Sequence, residues 1–150
     1  MVGRISRLLE ETGLPSDSLD IEITESAAMS NIEHTIARLN ELKAKGIHVA
    51  IDDFGTGCSS VNYLKRLPIR KLKIDKSFIR DIPFDPEVRT IIEAVIAMAH
   101  AMKVRVLAVG VETEEQLSFL RAAQCDEAQG YLFDGPLTAE QFNELVTSGM

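Results

Sequence analysis

The sequence predicts an α/β protein in which strands alternate with helices along the chain. Three observations support this fold class. Short aliphatic runs recur between stretches of helical periodicity, at the spacing of βαβ units with parallel strands. Glycine-containing turns follow several of these runs, and the apolar residues are mostly aliphatic with no Trp, as in strands buried within a parallel sheet. The pattern suits either a doubly wound sheet or a (β/α) barrel.

The first third of the chain predicts two helices and two strands. A helix over Arg4–Thr12 stops where a glycine and a proline follow, and both residues terminate helices. Leu19–Thr24 alternates apolar and polar residues as a strand does. Asn31–Gly46 has an apolar stripe at helical spacing between an Asn N-cap and a terminating glycine. Ile47–Ile51 is the second strand.

The middle of the chain continues the alternation. A short helix is predicted around Ser60–Arg66, closed by a proline, and Ile69–Ile74 is the third strand. A proline is well suited to an early helical position, so a long helix is predicted over Pro86–Met102, with its aliphatic residues on the buried face. Val104–Ala108 is the fourth strand.

The last third of the chain predicts two more helices and one strand. The helix over Thr113–Arg121 begins with Thr and Gln at the spacing of a capping box. Glu127–Gly130 is a weak fifth strand. A second threonine caps the final helix, which we place at Thr138 to about Val146.

Length and composition exclude several classes of protein. A chain of 150 residues is expected to form one domain, and 45% hydrophobic with 26% charged residues is ordinary for a globular protein. A net charge of −7 opposes binding to a DNA or RNA duplex, because phosphate backbones attract basic proteins. The two cysteines lack the spacing of metal ligands and are interpreted as reduced thiols.

Polar side chains lie at or just after the carboxyl end of every predicted strand. In parallel sheets these ends meet at one edge, where both candidate folds place their chemistry. The same class of residue at strand after strand is hard to obtain from solvated turns alone. The side chains concerned are Glu22, Glu25, Asp52, Asp53, Lys73, Asp75, Glu112 and Gln129.

Two adjacent carboxylates, Asp52 and Asp53, end an apolar run and precede a glycine-rich turn. Carboxylate oxygens suit a hard divalent cation such as Mg²⁺ or Mn²⁺, so these residues and Glu22 are candidate metal ligands. The alternative is a capped strand-to-helix turn in which Asp53 and Thr56 satisfy backbone donors. The residues alone leave both interpretations open.

Three further polar residues have their own interpretations. Lys73 would hold an attacking water or a phosphate oxygen, or else form a salt bridge with Asp75 or another carboxylate at the strand ends. Glu22 lies between two isoleucines of a strand, so it faces away from them, toward either a partner ion or solvent. Glu25 is expected to orient a following loop through backbone hydrogen bonds.

Five motifs, in order along the chain, resemble the signature motifs of EAL domains, which are bacterial cyclic di-GMP phosphodiesterases. They are Ile21–Ser26, Asp52–Gly57, Leu72–Asp75, Gly110–Thr113 and Gln129–Phe133. The resemblance runs over essentially the whole chain. It implies a modified TIM barrel with one antiparallel strand, and Mg²⁺- or Mn²⁺-dependent hydrolysis of one phosphodiester bond of cyclic di-GMP to linear pGpG.

The resemblance also implies roles for individual residues. Glu22 and Asp52 resemble ligands of a first metal ion, and Asp52 and Asp53 resemble ligands of a second. Lys73 resembles the lysine that contacts the attacking water, and with Asp53 and Glu112 makes up the implied catalytic set. Glu25 resembles the glutamate that holds the loop after Asp53, and Gln129 resembles a ligand-binding residue at the active site.

The chain lacks two elements of the family pattern. The Glu-Ala-Leu motif and the metal-binding Asn of the next strand have no counterpart here. We therefore interpret residues 1–150 as the carboxy-terminal portion of an EAL domain, an incomplete TIM-like barrel of roughly its last five β/α units. An unclosed barrel exposes strand edges and interior, so we expect a homodimer, a swapped element, or a missing N-terminal or partner segment.

A second departure lies in the motif Glu-Gly-Val-Glu, which reads Val109–Glu112 here. The replaced glutamate would assist the second metal ion and the water, and the valine supplies no lone pair. With the upstream ligands also missing, Glu22 and Asp52 remain, whereas such cations take about six ligands. We expect weak metal binding and little or no hydrolysis of cyclic di-GMP by this chain alone.

Three functions stay open from the sequence. The chain is part of a phosphodiesterase, or a degenerate module that binds cyclic di-GMP without cleaving it, or a dimerisation or partner-binding module that binds no nucleotide. No apolar run approaches the length of a membrane span. We expect a cytoplasmic location without membrane contact by this segment, including as part of a larger, membrane-linked signalling protein.

Overall fold

Five parallel strands form one sheet, in the order in which they follow one another along the chain. The computed structural model describes residues 2–57 and 60–148. Helices connect the strands, and the consecutive strand order is that of a barrel wall rather than of a doubly wound sheet, whose order reverses. The predicted α/β class with parallel strands is confirmed, and all five described strands run in the same direction.

The bounds of the elements follow the predictions closely. The strands are β1 Asp20–Thr24, β2 His48–Phe54, β3 Lys71–Ile74, β4 Arg105–Val109 and β5 Glu127–Gln129. The helices are α1 Val2–Thr12, α2 Glu25–Ser30, α3 Ile32–Ala44, α4 Val61–Leu64, α5 Lys76–Asp81, α6 Pro86–Ala101, α7 Glu114–Ala122 and α8 Ala139–Thr147. Among the residues that the structure describes, no helix has both the length and the apolar character needed to cross a bilayer.

The predicted helix caps are present. Asn31 accepts a hydrogen bond from the backbone N–H of His34 at the start of α3. Thr113 and Gln116 form a complete capping box at the start of α7, and α8 begins with a second one. These side chains satisfy N–H groups that the first helical turn leaves without a partner, which is why the helices begin where the sequence indicates.

Two short helices, α2 and α5, are not predicted. Each begins within two residues of the end of a strand, and each is capped by the residue before it: Thr24 accepts a hydrogen bond from Ala27 N–H, and Asp75 accepts one from Ser77 N–H. Each spans six residues, which is too short for an apolar stripe at helical spacing to be recognised.

One face of the sheet packs against the helices. Ile51, Leu72 and Val106 on neighbouring strands are fully buried in a single apolar core, which also takes in Leu42 of α3 and Ile92 of α6. Burial of each such side chain contributes about 1.5–3 kcal/mol. This packing fixes which face of every strand is apolar, because successive side chains of a strand alternate between faces.

The opposite face, which we call the charged face, carries ion pairs between strands. Near the amino ends of the strands, Lys71 of β3 lies 3.6 Å from Asp20 of β1 and 2.9 Å from Glu127 of β5. Arg105 of β4 lies 3.0 Å from the same glutamate. At this end of the sheet, charged side chains from β1, β3, β4 and β5 are thus paired with one another on the face opposite the core.

Asp126, just before β5, joins α6 to the sheet. One of its carboxylate oxygens lies 2.9 Å from Nε2 of His100 and accepts a hydrogen bond of 2.7 Å from the backbone N–H of Val106. Burial alone would raise the pKa of Asp126, but these hydrogen bonds and the charges of His100 and Arg105 more than offset it. The pKa therefore lies below its ordinary value of 3.8.

This shift predicts a dependence of stability on pH. The unfolded chain binds more protons than the folded chain around and between the two pKa values of Asp126, so its contribution is complete above about pH 5 and is lost as the pH falls further. We expect Asp126→Asn to lower the free energy of unfolding by about 1 kcal/mol at pH 7, since the carboxylate is partly exposed. The variant should also lose less stability than wild type between pH 5 and pH 3.

Urea unfolding at a series of pH values measures both effects. Asp17→Asn, at an exposed aspartate in the turn before β1, is the matched control and should retain the wild-type profile. Equal losses of stability below pH 4 in wild type and Asp126→Asn would contradict the assignment.

Candidate functional site

Three charged side chains from neighbouring strands meet on the charged face toward the carboxyl ends of the strands. Lys73 Nζ of β3 lies 2.7 Å from Oε2 of Glu22 on β1 and 3.2 Å from Oδ1 of Asp52 on β2. The parallel register brings them together, because β1 pairs with β2, β2 pairs with β3, and the three side chains lie on the same face of the sheet. Glu22 contacts the ammonium group of Lys73 while its side chain is 47% exposed to solvent, so features of both interpretations of this residue are present.

The ammonium group at the centre of this cluster is largely shielded from water. The side chain of Lys73 is 10% exposed, while those of Glu22 and Asp52 are 47% and 29% exposed. Burial lowers the pKa of Lys73, but the hydrogen bonds and charges of Glu22 and Asp52 outweigh it, so the pKa lies above its ordinary value. The lysine is therefore charged at neutral pH, and the three groups together carry a net charge of −1.

A bulge in β2 separates the two adjacent aspartates. The pairing between β2 and β3 shifts register between Ile51 and Phe54, and Asp53 adopts a left-handed backbone with φ of 53°. Asp tolerates this conformation better than most residues, although it still costs free energy. The N–H of Asp53 donates to Oδ1 of Asp52 at 3.0 Å. Asp52 is the aspartate that meets Lys73, and the strand extends through both residues instead of ending at Ile51 as predicted.

Glu25 holds the turn that follows this bulge. Its side chain is buried, at 2% exposure, and Oε2 accepts hydrogen bonds from the N–H of Gly55 at 2.8 Å and of Gly57 at 3.3 Å. Because Glu25 is the first residue of α2, these bonds connect the end of β1 to the turn after β2. The contacts are those expected of a loop-orienting glutamate. The continuation of the turn, Cys58 and Ser59, lies outside the described residues.

The remaining predicted site residues gather at the ends of β4 and β5. Val109 pairs with Gln129 in the sheet, and Glu112 is exposed in the loop after β4, where its N–H donates to the side chain of Gln116 at 2.8 Å. Val109, Glu112 and Gln129 all line a cavity of about 700 Å³. These three residues line the cavity, whereas Glu22, Asp52 and Lys73 meet one another in the Lys73 cluster and are not among the lining residues.

The cavity lies beyond the carboxyl ends of β4 and β5. Besides the predicted residues, its walls include Lys76, Ser77, Arg80, Gly110, Gln116, Gly130, Tyr131, Asp134, Gly135 and Pro136. Sequence reasoning did not single out the cations or the tyrosine. A signal was present, since Lys76 directly follows one of the recognised motifs and Tyr131 lies inside another.

Two glycines allow the backbone segments around the cavity to approach. A Cβ on Gly130 would lie 2.1 Å from the carbonyl oxygen of Val111. Gly110 has φ of +85°, and a Cβ there would lie 2.7 Å from Cβ of Lys76. Side chains at these positions would push the two walls apart, so the glycines in the motifs serve the shape of the cavity.

The residues present do not make a complete site for a divalent metal ion. Carboxylate oxygens are the right class of ligand, but within residues 2–57 and 60–148 no three His, Cys, Asp or Glu side chains gather so as to hold a metal. The two carboxylates that converge, those of Glu22 and Asp52, converge on an ammonium group.

Comparison with known proteins gives consistent results. The family model described as the EAL domain matches residues 1–136. The chain is 46% identical over 146 residues to the cyclic di-GMP phosphodiesterase NbdA of Pseudomonas aeruginosa. The aligned region covers 97% of this chain and 19% of that protein. The chain spans about a fifth of the length of the curated relatives it matches.

Solved structures share the fold. PaMucR phosphodiesterase, in complex with c-di-GMP, has a TM-score of 0.91 at 40% identity, over 94% of this chain and 57% of that one. Klebsiella pneumoniae BlrP1, in a complex with manganese and cy-diGMP, has a TM-score of 0.84 at 32% identity, over 90% of this chain and 34% of that one. These similarities confirm the predicted fold class, a partial TIM-like barrel.

The contacts of Glu25 predict its contribution to stability. We expect Glu25→Ala to lower the free energy of unfolding by about 1–3 kcal/mol, because it removes the acceptor of the Gly55 and Gly57 N–H groups. Glu25→Gln keeps one carbonyl oxygen and should lose less. Urea unfolding measures both, with Glu10→Ala on exposed α1 surface as the control. A Glu25→Ala variant as stable as the control would contradict a role for Glu25 in holding the turn.

Proposed function

The chain belongs to the EAL domain family, and we propose on this basis that it acts in bacterial cyclic di-GMP signalling. In this proposal residues 1–150 are the carboxy-terminal portion of an EAL domain, without the strands that carry the Glu-Ala-Leu motif. The observation that carries the proposal is the cluster of Glu22, Asp52 and Lys73, which unites carboxylates and a cation at the end of the sheet where barrels of this type place their chemistry.

The cavity at the ends of β4 and β5 supports binding of a nucleotide. Lys76 and Arg80 offer positive charge for phosphate groups, the exposed ring of Tyr131 offers a stacking surface for a base, and the amide of Gln129 offers hydrogen bonds. We propose that this cavity receives part of cyclic di-GMP, with Gln129 as a binding residue. The nearby Lys73 cluster would then face the phosphodiester.

The proposed reaction of the family is the metal-assisted hydrolysis of one phosphodiester bond, for which Mg²⁺ or Mn²⁺ would polarise the phosphate and lower the pKa of a water. We propose Glu22, Asp52 and Asp53 as this chain's share of the ligands, and Lys73, Asp53 and Glu112 as its share of the catalytic residues. Val109 adds only aliphatic surface to the cavity wall. On this reasoning the chain by itself hydrolyses the nucleotide weakly or not at all.

A second candidate function is a sensor that binds cyclic di-GMP without cleaving it. Val109 favours it, because a cavity that keeps its binding groups but has an aliphatic wall beside the Lys73 cluster binds better than it catalyses. We propose a cytoplasmic location for either function. A homodimer, or an N-terminal or partner segment, is proposed to cover the charged face and the free edges of β1 and β5.

We expect no or slow conversion of cyclic di-GMP to pGpG by this chain in Mn²⁺. The valine and the incomplete ligand set leave the site with too few ligands to hold its metal ions. Chromatographic detection of pGpG measures the rate. Val109→Glu should raise any measurable rate, whereas Val109→Leu, the matched apolar control, should not. Fast turnover by the wild-type chain would show that Val109 does not limit the reaction.

Binding without hydrolysis is a separate measurement. Titration calorimetry with cyclic di-GMP in Ca²⁺ should detect binding that weakens by about tenfold in Gln129→Ala or Arg80→Ala, since one good polar contact is worth about 1–1.5 kcal/mol. Arg4→Ala on α1, outside the cavity, is the control. The absence of binding at any practical concentration would refute both the phosphodiesterase and the sensor function for this chain, and would leave the nucleotide-free module.

A further inference from the structure

We propose that Lys73 is a built-in counterion that takes the place of a divalent cation between Glu22 and Asp52, and that a metal ion must displace its ammonium group in order to bind. The inference rests on the proposed function only in taking these two carboxylates as metal ligands. It concerns the chain before metal binds. It predicts that removal of the ammonium group lowers the stability of the metal-free chain and raises its affinity for metal.

The distances support direct substitution for a cation. Lys73 Nζ contacts Oε2 of Glu22 at 2.7 Å and Oδ1 of Asp52 at 3.2 Å, which are charge-assisted hydrogen bonds to both carboxylates at once. Oδ1 of Asp52 also accepts the N–H of Asp53. The oxygens that point at the centre of the cluster are thus already engaged with donors.

Electrostatic repulsion makes the two cations compete. A divalent ion bound to both carboxylates would lie within a few ångströms of an ammonium group held by those same carboxylates. Like charges this close repel strongly, and a divalent ion repels the ammonium group twice as strongly as a monovalent ion at the same distance would. The lysine side chain is flexible and its ammonium is a point charge, so it can move out when the ion enters.

The two ion pairs of Lys73 indicate that its ammonium group stabilises the metal-free chain. The Lys73 side chain is 10% exposed and is thus held by the two carboxylates instead of by water. Without it, Glu22 and Asp52 would face each other across a gap with no cation. Like charges in such a position repel, so removal of the lysine should destabilise the metal-free chain while opening the site to metal.

Lys71 provides a control within the same strand. It lies two residues earlier in β3, on the same charged face, and is 20% exposed. Its partners are Asp20 and Glu127, so it is paired like Lys73 but with neither proposed metal ligand. If removal of any paired lysine from the charged face changed stability or metal affinity, the change should appear in the variants of both Lys71 and Lys73.

The test compares Lys73→Met, Lys73→Arg and Lys71→Met with wild type in two measurements on the full chain. Without metal, both methionine variants should melt at lower temperature than wild type, by about 2–4 °C. In Mn²⁺ titrations followed by calorimetry, Lys73→Met should bind at least about tenfold more tightly than wild type. Lys73→Arg and Lys71→Met should bind no more tightly than wild type.

A folded Lys73→Met chain that binds Mn²⁺ no more tightly than wild type would overturn the proposal. So would equal gains in affinity in Lys73→Met and Lys71→Met, since the gain would then reflect net charge alone. Measurable binding by Lys73→Met where wild type shows none would support it, and absence of binding by both would overturn it.

A second measurement uses the wild-type chain and remains decisive if Lys73→Met does not fold. Nitrogen NMR of lysine ammonium groups identifies the Lys73 signal by its absence in Lys73→Arg. Titration with diamagnetic Mg²⁺ should shift or broaden this signal as the ammonium leaves its partners, while the Lys71 signal stays in place. An unchanged Lys73 signal up to a high Mg²⁺ concentration would overturn the proposal.

The outcomes separate this inference from the proposed function. Cyclic di-GMP binding by the wild-type chain, together with no effect of Lys73→Met on Mn²⁺ affinity, would refute the counterion alone. A gain in Mn²⁺ affinity in Lys73→Met, together with no nucleotide binding, would refute the nucleotide function alone.

Discussion

The pairing of one ammonium group with two carboxylates across three strands is the interaction on which the site depends. Lys73 joins Glu22 and Asp52 on the charged face of the sheet, where each carboxylate would otherwise repel the other. This arrangement is possible because the opposite face of the same strands is apolar and packs under the helices. The strict alternation of side chains along a strand therefore supplies both the core and the charges of the site.

The geometry around this cluster is set by backbone irregularities. A bulge with a left-handed aspartate separates Asp52 from Asp53, and the buried carboxylate of Glu25 secures the turn that follows. At the neighbouring strand ends, Gly110 and Gly130 let the walls of the cavity approach one another. Bulges, left-handed residues and close backbone contacts are common at functional sites, because they aim side chains that regular strands would not bring together.

The family of the chain follows from its similarity to known proteins, whereas the activity of its site does not. Similarity to EAL domains extends over residues 1–136 and includes solved structures with a TM-score above 0.9. Activity is not transferred by that similarity, because the chain spans about a fifth of the length of its curated relatives and the described residues gather no three-ligand metal group. The pairing of Lys73 with Glu22 and Asp52 comes from the structure and not from the family comparison.

The sequence by itself determined the class of fold, the succession of strands and helices along the chain, the helix caps and the identity of the polar residues at the strand ends. Periodicity, caps and motifs are local patterns, and they can be recognised from short stretches of consecutive residues. It did not reveal α2 or α5, because six residues carry too little periodicity. Only the tertiary structure decided that Lys73 pairs with Glu22 and Asp52 instead of Asp75, since Lys73 and Glu22 are 51 positions apart and meet only through strand register. The cavity beside them depends in the same way on how β4, β5 and α5 are placed in space, which no local pattern specifies.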